Sequence, residues 1–304
     1  TVSSVEMAEY FADAGWQDIF IAFTANRREL AAINRLAKRV RLGLLFEEAA
    51  TLDYFMQNLD AAVDVWFEAD NGSVRTGIPI QQVDAFVQLA QHVRPPHVLA
   101  GVMTHAGNTY HAQSGGEICR IYRQTLTGLL DIKKALIQAG YPNVKISYGD
   151  TPAMTLVDDF NGLDEARPGN FIFYDGCQVS YGVCRTEDIA VGVACPIIAV
   201  YPQRGQLVLY GGAVHLSKDR FELDGKQVFG YVCRPTPQGW GPAIPNAVVS
   251  ALWQEHAMVD MPAALVETFH PGDQLVVLPA HSCLTVDLYK TYQTTEGEKI
   301  NIKA

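Results

Sequence analysis

Along roughly its first 175 residues the chain alternates short β-rich apolar runs with stretches whose apolar positions recur every three or four residues. The apolar runs predict strands at Thr1–Ser3, Asp18–Phe23, Arg41–Phe46, Ala62–Ala69, His97–Met103, Val144–Tyr148 and Asn170–Tyr174. The amphipathic stretches predict helices over Val5–Ala14, Arg27–Arg39, Glu47–Asn58, Ile80–His92 and Gly116–Ala139. Strand and helix in alternation specify βα units on a parallel sheet. Seven strands, counting the stub at the start, suit a doubly wound open sheet; a (β/α)8 barrel takes one more.

From about Glu187 the texture changes. Short runs at Ile189–Val193, Ile197–Tyr201, Gln206–Tyr210, Gln227–Val232 and Gln274–Leu278 are separated by Gly, Pro and Asp turns. They predict an antiparallel β domain, with one short helix at Ala247–His256. The expected domains are therefore residues 1–185 and 186–304.

Composition narrows the function classes. A formal charge of −10 with no basic stripe argues against a nucleic-acid partner. No apolar run reaches the length of about 18 residues that a bilayer span needs, and no signal-peptide pattern is seen, so no membrane partner is expected. Six cysteines are dispersed without a CxxC pair and are expected to be reduced thiols of a cytoplasmic protein. Thr1-Val2-Ser3-Ser4 runs at once into an amphipathic helix, as the middle of a domain would, so an upstream segment is expected.

Four clusters carry candidate chemistry. Thr104-His105-Ala106-Gly107-Asn108-Thr109-Tyr110 follows a predicted strand, where a βα barrel keeps its active site; on spacing alone it is also a polar loop with a capping Asn. Gly149-Asp150-Thr151-Pro152 turns from a strand into a helix, and a Thr hydroxyl beside free N–H groups can hold a phosphate. Arg167-Pro168-Gly169-Asn170 offers a second donor-rich turn; together the two suggest a phosphate cup, although two ordinary turns read the same way. Last comes His281-Ser282-Cys283-Leu284-Thr285. If extended, it places an imidazole and a thiol on one face, a donor set that suits Zn²⁺; a buried Cys beside a surface His is the alternative.

Taken in order, Thr104–Tyr110, Gly149–Pro152, Arg167–Asp175 and His281–Thr285 resemble the D-serine dehydratase-like family, and Gln254-Glu255-His256 resembles an element of that family's C-terminal domain. The resemblance covers nearly the whole chain. It implies an α/β fold: a (β/α)8 TIM-type barrel of the alanine racemase-like class (fold type III), its first strand missing here, plus a C-terminal antiparallel β domain. It also implies a lyase using pyridoxal 5′-phosphate (PLP) and Zn²⁺ to dehydrate a D-3-hydroxy amino acid such as D-serine, releasing a keto acid and ammonia. On the matching positions, His105 and Tyr110 would be catalytic, with Tyr110 also lining the cofactor. Thr151, Gly169 and Asn170 would hold the phosphate, and His281 and Cys283 would bind the metal. The family is typically dimeric, so a homodimer is expected.

Two departures qualify the match. Met103 stands where members with the dehydratase pattern carry a Tyr, and a thioether cannot donate the hydrogen bond a phenol can. The family's Schiff-base lysine belongs to a segment upstream of the stretch resembling Thr1–Gly15; Lys145 alone lies on a predicted barrel strand, outside the family pattern. The rival readings on the same fold are a D-threonine aldolase-type C–C lyase, an amino-acid racemase, and a PLP-binding protein without turnover. Relatives of the aldolase type tend to carry His-x-Asp, so Cys283 favours the dehydratase.

Overall fold

In the computed structural model, which describes residues 1–301, the apolar runs of the first part become a parallel sheet. Its strands are β1 (Asp18–Thr24), β2 (Arg41–Phe46), β3 (Asp64–Asp70), β4 (Ile78–Pro79), β5 (Val98–His105), β6 (Lys145–Gly149) and β7 (Glu165–Ala166). They pair in the order β1-β2-β3-β5-β6-β7, with β4 beside β3. Val2 adds one parallel bridge to Ile21, so the stub predicted at Thr1–Ser3 lies beside β1. Strands β2 and β3 are buried on both faces nearly throughout, which is why they read as continuous apolar runs and not as alternating ones.

The connecting helices are α1 (Val5–Asp13), α2 (Leu30–Ala37), α3 (Ala49–Asn58), α4 (Val83–Ala90), α5 (Gly115–Gln138) and α6 (Thr151–Leu156). Their starts follow local chemistry. The side chains of Ser4, Ser114 and Asp150 accept from the N–H groups of Met7, Glu117 and Ala153 and cap α1, α5 and α6. The alanine racemase-like arrangement holds as a parallel half-barrel sheet; eight strands and closure are not seen among the described residues.

The last predicted strand of this sheet, Asn170–Tyr174, is instead a 3₁₀ turn at Asn170–Ile172, and β7 takes the edge position. Aromatic β-propensity loses there to local hydrogen bonding: the Asn170 carbonyl accepts from the N–H groups of Phe173 and Tyr174, and Tyr174 takes a left-handed φ of 48°. The chain divides into compact units at Gly169/Asn170.

The second unit holds β8 (Val193–Tyr201), β9 (Gln206–Tyr210), β10 (Phe221–Leu223), β11 (Lys226–Val228), β12 (Gly230–Thr236), β13 (Gly239–Leu252), β14 (His256–Asp260) and β15 (Gln274–Pro279). Six of these close an antiparallel barrel in the order β12-β13-β14-β9-β8-β15. Its core is filled by Leu207 and Leu209, Val249, Val259, and Leu275 with Val277, inward at every second position. The helix predicted at Ala247–His256 is the end of β13 and the turn into β14. Ala247 and Val249 are buried while Val248 and Ser250 are less so, a period of two that a short apolar run conceals. Short helices α7 (Gly176–Ser180), α8 (Ala213–Leu216), α9 (Ala263–Val266) and α10 (Ser282–Asp287) complete this part.

Candidate active-site clusters

Two clusters of polar residues stand out, one in each unit. In the first unit, β5, β6 and β7 end side by side: His105 is opposite Gly149, and Tyr148 is opposite Ala166. His105 stacks on Tyr110 with ring centroids 5.9 Å apart. Burial, aided by the positive charges of Arg75 and Arg167, pulls its imidazole down to about 4, so it is neutral near pH 7. The Thr151 N–H donates to the Tyr110 hydroxyl at 3.4 Å, and Thr151 is itself buried. Asp150 accepts from Ala153 N–H at 2.6 Å and from the Thr109 hydroxyl at 3.1 Å; burial nonetheless pushes its carboxyl up to about 6.

Arg167 lies across the floor of this rim. Its Nε donates to Ser147 Oγ at 2.7 Å and its Nη2 to the Thr104 carbonyl at 2.6 Å, while burial lowers the guanidinium to about 10. A Cβ on Gly149 would stand 2.8 Å from Arg167 Nη1, so only glycine lets the cation lie here. Neither Arg167 nor Asp150 is marked by spacing; RPGN named a turn, and nothing in it says that the arginine folds inward. Met103 is 1% exposed and packs with Phe20, Leu45, Trp66 and Ala100, so it is a core side chain.

The lysines of this unit sit elsewhere. Lys145 opens β6, at the opposite end from Gly149, and pairs with Glu165 at 3.7 Å. Lys38 and Lys133 pair with Asp60 and Asp164 at 2.7 and 2.8 Å.

In the second unit the organising group is Asp175, which is fully buried. Its Oδ1 accepts from Gln178 N–H at 2.9 Å, capping α7. Its Oδ2 accepts from Asn170 Nδ2 at 2.6 Å, His281 Nδ1 at 3.0 Å and Ser282 N–H at 3.1 Å. Cys283 Sγ lies 3.6 Å from Asn170 Oδ1. The hydrogen bond to Asp175 raises the His281 imidazole, while burial raises the Cys283 thiol. The two candidate ligands do not share a strand face: His281 is extended at the N-cap position of α10, without a side-chain capping bond, and Cys283 lies in the first turn of that helix. Asn170 commits its side chain within this cluster.

The donors suit the two groups unequally. For PLP, the first unit offers Thr151 and the Tyr110 hydroxyl beside a buried cation, with open space at Gly169, where a Cβ would meet nothing within 4 Å. For Zn²⁺, His281 Nδ1 is occupied by Asp175, which leaves Nε2 as the ligating atom, and Cys283 supplies a partly exposed thiol. No group of three or more His, Cys, Asp and Glu side chains placed to hold a metal occurs among the described residues.

Residues 1–176 match the family described as "Alanine racemase, N-terminal domain", and residues 190–295 match "Putative serine dehydratase domain". The chain is 28% identical to D-threo-3-hydroxyaspartate dehydratase of Delftia sp. (strain HT23), over 98% of this chain and 80% of that protein. The solved structure of that protein superposes with a TM-score of 0.89 at 26% identity, covering 99% of this chain and 82% of the other. D-serine dehydratase of Dictyostelium discoideum is 26% identical over 85% of this chain and 69% of its own length. No helix among the described residues is long and apolar enough to cross a membrane.

Proposed function

The chain belongs to the D-serine dehydratase-like family of PLP-dependent lyases with an alanine racemase-like N-terminal domain, and on that footing we propose that it dehydrates a D-3-hydroxy amino acid with the help of Zn²⁺. The products are the corresponding keto acid and ammonia. One observation carries this reading: the domain that matches serine dehydratases contains His281 and Cys283, with the imidazole already held by a buried carboxylate. A racemase or a cofactor carrier has no use for a metal-binding pair of that kind.

PLP supplies an electron sink for the negative charge left at Cα, and Zn²⁺ supplies a Lewis acid for the β-hydroxyl. The protein's own residues do the rest. Thr151, Gly169 and Asn170 would hold the phosphate, and Arg167 would supply positive charge to the site. Tyr110 lines the cofactor. His105, neutral at working pH, stacks on Tyr110 and keeps a lone pair available to accept a proton. Lys145 opens β6 at the end away from Gly149, which argues against it as the residue that links the cofactor. A homodimer is the expected assembly, which sedimentation would check.

The test is a substrate panel with full-length holoenzyme. D-serine or D-threo-3-hydroxyaspartate should give keto acid and ammonia in equal amounts. Chelation, or Cys283→Ala, should abolish that while leaving PLP bound and the fold intact, and added zinc should restore the chelated enzyme. Glycine and an aldehyde from D-threonine would favour the aldolase reading. Keto acid released at the wild-type rate by the Cys283→Ala enzyme would remove the metal from the mechanism.

A further inference from the structure

We propose that Asp175 is the positioning residue of the metal-binding pair, fixing His281 directly and Cys283 through the side-chain amide of Asn170. The inference rests on reading His281 and Cys283 as zinc ligands, and concerns how the protein holds them ready.

Capping α7 explains only half of Asp175. That task uses Oδ1, and a serine or asparagine would perform it. Oδ2 collects donors from three separate places: the side chain of Asn170, the ring of His281 and the backbone of Ser282. Two of them, an amide and a backbone N–H, can only donate, so this oxygen is an acceptor and His281 Nδ1 carries the proton. The imidazole is thereby held in the tautomer whose Nε2 lone pair is free for a metal. Such a carboxylate–histidine contact fixes both ring orientation and tautomer.

The second arm follows from the first. Because Asn170 turns its Nδ2 to Asp175 at 2.6 Å, its Oδ1 must point the other way, and Cys283 Sγ is found 3.6 Å from it. Asp175 therefore decides which end of the amide the thiol meets. The Ser282 N–H bond pins the backbone between the two ligands, and the Ser282 hydroxyl donates to the Tyr174 carbonyl, tying α10 to the residue before Asp175. Tyr174 itself holds a left-handed φ of 48°, uncommon for an aromatic residue, in the turn that aims the carboxylate.

Asp175→Asn tests the proposal, because it keeps size but has one acceptor atom where the carboxylate has two, and no charge, so it cannot serve both the Gln178 N–H and the three donors at Oδ2. The ring should then no longer be held in the tautomer that leaves Nε2 free for a metal. Zinc affinity of the full-length protein, measured by competition with a chromophoric chelator, should fall about 10- to 100-fold. Nitrogen-15 spectra of the metal-free wild type should show His281 protonated at Nδ1, with His281→Gln identifying the resonance. Asn170→Ala should leave that tautomer unchanged and speed alkylation of Cys283, followed by peptide mass spectrometry. Should Asp175→Asn fail to fold, the wild-type spectrum and the Asn170→Ala variant decide. Equal zinc affinity in wild type and a folded Asp175→Asn protein overturns the positioning role and leaves the ligand reading standing, as does a wild-type ring protonated at Nε2. An unchanged alkylation rate in Asn170→Ala overturns the thiol arm. Zinc affinity unaffected by His281→Ala overturns both this inference and the ligand reading beneath it.

Discussion

Gly149→Ala probes the arrangement on which the cofactor rim depends. The new methyl would stand 2.8 Å from Arg167 Nη1 and 3.0 Å from Arg167 Cβ and Cζ. A free arginine would swing away at little cost. Here Nε and Nη2 are held at 2.7 and 2.6 Å by Ser147 Oγ and the Thr104 carbonyl, so moving the guanidinium by even a few tenths of an ångström strains both bonds. Hydrogen bonds to a charged group contribute roughly 1.5–3 kcal/mol each, and weakening two of them by half costs about 1.5–3 kcal/mol. For a domain of this size that corresponds to a fall in Tm of roughly 3–12 °C. Scanning calorimetry of the PLP-free protein would measure it, with Gly169→Ala as the control: a Cβ there meets nothing within 4 Å, and its Tm should match wild type. A Gly149→Ala protein that melts within a degree of wild type would show that Arg167 is not held as described.

Two further outcomes are expected. Thr151→Val removes a hydroxyl from the proposed phosphate site with little change in volume; PLP absorbance after dialysis should fall several-fold faster, a loss of about 1 kcal/mol, and unchanged retention would put the phosphate elsewhere. His105 should titrate near 4 by NMR, not near its ordinary 6.5. Because its folded value is depressed, its contribution to stability is full above pH 6.5 and is lost as pH falls toward 4, by about 3 kcal/mol in all. Asp150, raised to about 6, works in the opposite sense over much of that window, so the difference between wild type and His105→Gln is the quantity to follow. A His105 titration near 6.5 would contradict the burial that makes it neutral.

Much of the fold was legible because it rests on period and punctuation. The buried runs of β2, β3 and β15, the serine that caps α5 and the alternation along β9 are local signals that tertiary packing had no reason to override. The motifs Thr104–Tyr110, Gly149–Pro152 and His281–Thr285 likewise announced strand ends, and the first two begin where β5 and β6 finish. Local patterns failed where a nonlocal partner chose between two acceptable conformations. Asn170–Tyr174 has the aromatic content of a strand but is bent into a turn in which Asn170 meets Cys283 and the following Asp175 engages His281 and Ser282, all more than a hundred positions further on. Ala247–His256 is apolar enough for either helix or strand, and its pairing with β12 and β14 decides. The same reason hides the groups that organise the clusters. An arginine folded inward under Gly149 and an aspartate buried beside His281 acquire their roles only from partners distant in sequence, because burying a charge is tolerable only where the fold has already assembled its hydrogen bonds.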